Sequence, residues 1–298
     1  MKKKTCILLT ICLVCLALAG SFAYASFSLG IYRDFAELSE NETIDVDYRI
    51  INKNNGSDMT VFTIHGGAIA KGTSELATAL ANRGGFNLYL FEGIKPTDNL
   101  TLHLTSTRFD EPTAINMVKN SKDTVSFIGI KEENARITYV GGQNKLLARL
   151  VKLHLQAAGF NVQDAPYVPT NIAGVLSSNI VNQNKLLFDT HKIGGVQIAV
   201  SKGMRDLLLE DEASFQSYVA NIDKALSDSW PLAVNILEAR TGNASPNSKA
   251  IEKANVNASF NRYNTNNVIK GVLQNNFNSP EELLAKLKEA AGKQNSKF

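Results

Sequence analysis

The residues able to do acid–base, metal or anion chemistry are few and widely spaced. Four histidines occur in 298 residues. His65 ends a β-rich run and is followed at once by Gly66-Gly67. An imidazole between a strand end and two glycines sits where the backbone turns tightly and approaches a neighbour closely. It is therefore expected to line a pocket, with retention by packing as the alternative. His103 and Asp110 lie near strand and turn ends. His154 falls among apolar residues of a helix and is not expected to be a ligand. His191 follows Asp189-Thr190 and reads as surface. Arg205, just after a buried-type strand, could clamp a carboxylate by a two-pronged contact; a structural salt bridge is the equal alternative. Arg108, beside the Thr105-Ser106-Thr107 turn, is a second carboxylate candidate, against simple solvation. Asn179 and Asn182 could position a ligand amide or carboxylate, or could cap turns through their own backbone. Gly66, Gly67, Gly72, Gly141 and Gly142 read as turn formers. No Lys-Ser/Thr pair follows them, so they are no phosphate cradle.

The elements that must position these groups alternate. A short helix is expected over Ile31–Leu38 and strands over Val46–Ile51 and Met59–Ile64. Thr73 opens a helix with Leu76, Ala77, Leu80 and Ala81 on one face. Strands are expected over Asn87–Phe91, Leu100–Thr105, Thr124–Gly129, Ile137–Val140 and Gly195–Val200. Helices are expected over Glu111–Asn120, Asn144–Ala158, Met204–Leu209 and Phe215–Leu226. This alternation argues for an α/β layer structure without internal repeats. From Thr241 to Asn278 the chain is rich in Asn and Ser and reads as a loose connection. Ser279-Pro280-Glu281-Glu282 then opens a last helix with a capping box, and Leu283, Leu284 and Leu287 give it one apolar stripe, for the main domain or for a partner.

The first 25 residues read as an address. Lys2, Lys3 and Lys4 precede an uncharged, mostly apolar run, and Ala23-Tyr24-Ala25 offers a cleavage site after Ala25. A secreted protein with no stable membrane span after cleavage is expected. All three cysteines, Cys6, Cys12 and Cys15, lie in this segment, so the mature chain enters an oxidising space without a disulfide and depends on a packed core. The formal net charge is +3. The three lysines supply all of it, and the mature chain is neutral. There is no basic surplus for nucleic acid.

Five segments in order resemble the poly-γ-glutamate hydrolase family. They are Ile64-His65-Gly66-Gly67 with Gly72-Thr73-Ser74-Glu75-Leu76-Ala77; Leu102 to Thr107 with Phe109-Asp110-Glu111-Pro112; Tyr139-Val140-Gly141-Gly142; Asn179-Ile180-Val181-Asn182; and Gly195-Val196-Gln197-Ile198 with Gly203-Met204-Arg205. The resemblance covers roughly Tyr48 to Leu209. It implies a zinc-carboxypeptidase-like fold, a mixed β-sheet with helices on both sides, here carrying a loose C-terminal helical extension. The expected organisation is a signal peptide over 1–25, the α/β domain over 26–240, an Asn-rich linker over 241–278 and a helix over 279–298.

The family's chemistry is zinc hydrolysis of γ-glutamyl amide links. Three protein ligands hold the metal, and a carboxylate moves the proton. Carried over by position, the first histidine ligand is His65. The glutamate ligand falls on Ala70, the second histidine ligand on Ile128 and the catalytic glutamate on Ala199. Neither a methyl nor a branched alkyl group has a lone pair to offer zinc. The resemblance therefore implies an inactive member with no cofactor, binding a γ-glutamyl polymer, a cell-wall fragment or a protein partner through His65, Arg205, Arg108, Asn179 and Asn182. Two other readings are open. One is an active zinc hydrolase with a rearranged site of His65, His103 and Asp110. The other is an interaction protein acting through its C-terminal extension.

Overall fold

The computed structural model describes residues 30–185, 187–188, 191–241, 272 and 275–295. The expected signal peptide lies outside them, as does most of the Asn-rich linker. The described strands are β1 (Tyr48–Lys53), β2 (Met59–Gly67), β3 (Asn87–Gly93), β4 (Asp123–Ile130), β5 (Thr138–Gly142), β6 (Val162–Asp164), β7 (Leu187–Phe188), β8 (His191–Lys192) and β9 (Val196–Ser201). The helices are α1 (Phe35–Asn41), α2 (Thr73–Gly84), α3 (Pro112–Asn120), α4 (Lys145–Ala157), α5 (Lys202–Glu210), α6 (Glu212–Thr241) and α7 (Pro280–Asn295).

Seven strands form one mixed sheet in the order β1-β3-β2-β4-β9-β5-β6. β3, β2, β4 and β9 run parallel, while β1 and β5 are antiparallel to their neighbours β3 and β9. The central strands β4 and β9 are apolar and shielded on both faces, as parallel strands under helices must be. One face packs against α2, α4, α5, α6 and α7. The other packs against the shorter α1 and α3 and the 3₁₀ turns Asn99–Leu102 and Ile180–Asn182, around Phe62, Tyr89, Phe91 and Phe109.

The last helix packs against the domain. Leu283 and Leu287 are wholly buried in the larger core, where α7 lies on α6 and α4, so the apolar stripe is spent on the domain itself. Ser279 Oγ accepts from the Glu282 amide at 3.2 Å, as its capping role requires. Among the described residues no helix is long and apolar enough to cross a membrane.

Two expected elements move. The first helix starts at Phe35, because Asp34 caps it by accepting from the Glu37 amide at 2.9 Å. The strand expected over Leu100–Thr105 is instead a 3₁₀ turn followed by extended chain. Leu102 and Leu104 alternate inward like strand residues, at 0% and 1% exposure, but pair with no strand among the described residues.

Candidate functional site

The four positions implied to carry the family's chemistry converge at the C-terminal edge of the parallel strands, where open α/β sheets place ligands. His65 is near the end of β2, Ala70 lies in the turn that follows, Ile128 is near the end of β4, and Ala199 sits opposite it on β9. Thr73 Oγ1 donates to the carbonyls of His65 (2.9 Å) and Ala70 (3.0 Å), which folds that turn back on the strand end. Glu75 accepts from the Gly72 amide at 3.0 Å and so caps α2, a structural role.

A cleft of about 480 Å³ opens over this edge. His65, His103, Arg108, Ile128, Asn179 and Gln197 are in its wall, with Ile130, Pro169 and Ile172 supplying apolar surface and Lys131 and Glu132 supplying charge. His65 therefore lines a pocket, as its place in the sequence suggests. The residue is 4% exposed. Its Nε2–H donates to the Leu104 carbonyl at 3.2 Å, and its ring lies against that of His103, tilted by 33° with centroids 4.2 Å apart. Burial, then His103, then the Arg205 cation hold the His65 pKa well below the ordinary imidazole range. Burial lowers that of His103 to about 4. Both rings are neutral at neutral pH.

The other three key positions hold only carbon. Ile128 is 5% exposed and Ala199 is fully buried, paired to Ile128 on one side and Tyr139 on the other. Both belong to the second hydrophobic cluster. Ala70 packs beside Gly129, whose missing side chain leaves room for the Ala70 methyl and the Arg205 guanidinium. The rearranged site of His65, His103 and Asp110 does not form. His65 and His103 meet, but Asp110 accepts from the Phe35 amide at 2.7 Å and is not in the cleft wall. Among the described residues no three His, Cys, Asp or Glu side chains gather to hold a metal. Two imidazoles are one donor short of a hydrolytic zinc site, so these residues do not fit that ion.

Arg205 is the main correction. It is absent from the cleft wall and is 7% exposed. Its Nε, Nη1 and Nη2 donate to the carbonyls of Val200 (3.2 Å), Lys71 (2.7 Å) and Ile130 (3.3 Å). All three contacts are to backbone, and no ion pair to it forms among the described residues. It ties the turn after β2 to the ends of β4 and β9. Gly72, at φ +101°, is where its stem packs; a side chain there would be strained and would meet the Arg205 Cβ at 3.1 Å. Asn182 is a second correction. Its Oδ1 accepts from the amides of Gln143 and Gly195, both at 3.2 Å, and its Nδ2 donates to the carbonyls of Gly174 (2.7 Å) and Leu176 (2.8 Å). It is a loop knot outside the cleft.

Asn179 reaches the cleft but is committed to the protein. Its Oδ1 caps the 3₁₀ turn at Val181 (3.1 Å), and its Nδ2 donates to Gln197 Oε1 (2.9 Å). Gln197 in turn donates to the Ile172 carbonyl at 2.8 Å. Arg108 is exposed at the cleft, on a turn closed by its own amide to the Thr105 carbonyl at 2.8 Å. His154 is confirmed as structural, its Nε2 lying 2.9 Å from Asp228 between α4 and α6. Sequence reasoning missed Gln197, Lys131 and the loop bearing Pro169 and Ile172. The Gly195-Val196-Gln197 run flagged the first. Nothing in the sequence flagged the others.

Comparison with known proteins agrees with this fold. The family described as poly-gamma-glutamate hydrolase matches residues 32–225. YndL, a UPF0714 protein of Bacillus subtilis (strain 168), is 40% identical over 182 residues, which is 60% of this chain and 66% of YndL. The chain thus spans just under two thirds of that relative. YmaC of the same strain is 34% identical over 210 residues, 67% of this chain and 85% of YmaC. A solved bacteriophage poly-gamma-glutamate hydrolase superposes with TM-score 0.63 at 31% identity, covering 68% of this chain and 99% of the other. A zinc-free form of YndL gives 0.60 at 34%, covering 67% and 99%.

Proposed function

The chain belongs to the poly-γ-glutamate hydrolase family, and from that premise we propose that it is a secreted member that binds γ-glutamyl polymer without cutting it. One observation carries this reading: the cleft is kept, while three of the four positions that should do chemistry hold alkyl groups, two of them packed into a hydrophobic cluster. No general base stands where the family places one, since Ala199 is buried carbon. A γ-glutamyl chain offers free carboxylates and amides. Arg108 and Lys131 supply cations for the former, and the apolar wall at Ile128, Ile130 and Ile172 covers the chain between them.

Calorimetric titration of purified protein with short γ-glutamyl oligomers tests the binding half. Measurable heat is expected, weakened in Arg108→Gln; no heat at millimolar ligand removes this half. Elemental analysis and a depolymerisation assay test the silent half. Zinc at one ion per chain, with cleavage that a chelator abolishes, would overturn it. Amino-terminal sequencing of the exported protein checks for processing after Ala25.

A further inference from the structure

The cleft contains one buried lone pair that the fold leaves unmet. A carbonyl oxygen can only accept, so the contact of His65 Nε2 with the Leu104 carbonyl at 3.2 Å fixes the proton on Nε2. The neutral ring then carries its lone pair on Nδ1. That nitrogen is shut away from solvent and has no hydrogen-bond partner among the described residues. The amide side chains that share the cleft wall are already committed: Asn179 donates to Gln197 and accepts from the Val181 amide, and Gln197 donates to the Ile172 carbonyl. A buried acceptor left unpaired is costly, and proteins rarely keep one without use.

We propose that His65 Nδ1 accepts a hydrogen bond from a secondary amide N–H of the bound chain, turning an ancestral metal position into a reader of the amide link. This rests on the γ-glutamyl reading above and adds to it the group that is recognised. His103, the less buried ring of the pair, lies against His65 in the cleft wall, with ring centroids 4.2 Å apart. The amide nitrogen donates, no bond is broken, and the carboxylates remain with Arg108 and Lys131.

Two γ-glutamyl tripeptides test the assignment by calorimetry on the purified protein. One has intact amides. In the other an ester oxygen replaces the internal amide nitrogen, removing the donor without adding bulk. The intact peptide is expected to bind at least about tenfold more tightly, or about 1.4 kcal/mol. The preference should vanish in His65→Phe, which keeps a flat ring against His103 but has no acceptor. That comparison also cancels the weaker carbonyl of the ester. Equal affinities in the unaltered protein overturn the assignment and leave the proposed function standing. Failure of both peptides to bind removes the two together.

Discussion

Replacing Arg205 by methionine separates a structural clamp from a ligand contact, because the two roles predict opposite outcomes. The substitution keeps an unbranched apolar stem against Gly72 and removes three hydrogen bonds, to Val200, Lys71 and Ile130. The three losses are unequal. Val200 is fully buried, so water cannot replace the donor lost from its carbonyl, at about 1–3 kcal/mol. Lys71 is exposed and Ile130 half-buried, so water can reach their carbonyls, and each loss falls to roughly 0.5–1.5 kcal/mol. Against this, burial already lowers the Arg205 pKa, so deleting the guanidinium relieves some desolvation. The net expectation is a destabilisation of about 2–4 kcal/mol. Urea unfolding should show a lower midpoint at unchanged slope. Arg205→Lys should recover only part of the loss, since a point-like ammonium cannot span three carbonyls in a fork. A stability change under about 0.5 kcal/mol, with γ-glutamyl binding lost, would refute the clamp and return Arg205 to the cleft.

Three further outcomes are expected. Ala70→Glu combined with Ile128→His restores two donors beside His65, and one zinc per chain should be measurable by elemental analysis; no uptake would show that the surroundings of the site have drifted too. Acidification should destabilise the protein through its depressed histidines. The stabilisation is complete above pH 6.5 and is lost as pH falls towards the folded-state value of about 4 for His103, while Asp123, raised by burial to about 6, works in the opposite sense. Denaturation of His103→Phe from pH 7 to pH 4 should therefore show a smaller loss than the parent, by at most about 3 kcal/mol. Leu287→Ala, at a fully buried position, should cost about 2–5 kcal/mol in thermal or urea unfolding and mark α7 as part of the core.

Much of the sheet was legible because its strands carry their own signals. Val125, Phe127, Val196 and Ile198 form short apolar runs bounded by turns, and the helix after Asn144 shows its inward stripe in the sequence. The convergence of His65, Ala70, Ile128 and Ala199 was legible only through the family resemblance, since the positions span 135 residues of chain. The roles of Arg205 and Asn182 were not. Both use backbone carbonyls or amides as partners, and backbone groups leave no trace in residue identity. The segment at Leu102 and Leu104 misled for a related reason: alternation reports which side chains point inward, but not whether a strand lies alongside.

The exchange of a carboxylate for a methyl at position 199 changes the energetics of the whole edge, and reversing it alone exposes that. Ala199 has no exposed surface and is flanked by Ile128 and Tyr139 within a hydrophobic cluster. A glutamate there, without metal, must either ionise in an apolar setting or take up a proton. An unpaired buried charge is the more expensive choice, so the side chain's pKa rises. The folded state then binds a proton that the unfolded chain, with a glutamate pKa near 4.3, does not hold at neutral pH. The penalty is full above the raised folded value and shrinks as pH falls below it, opposite in sign to the histidine effect. Ala199→Glu should accordingly be several kcal/mol less stable than the parent at pH 8, with the gap closing towards pH 5. Thermal unfolding of both proteins across that range measures it. A gap that stays constant with pH would mean the carboxylate reaches solvent or a cation, and that the floor of the cleft is more open than the packing around Ile128 implies.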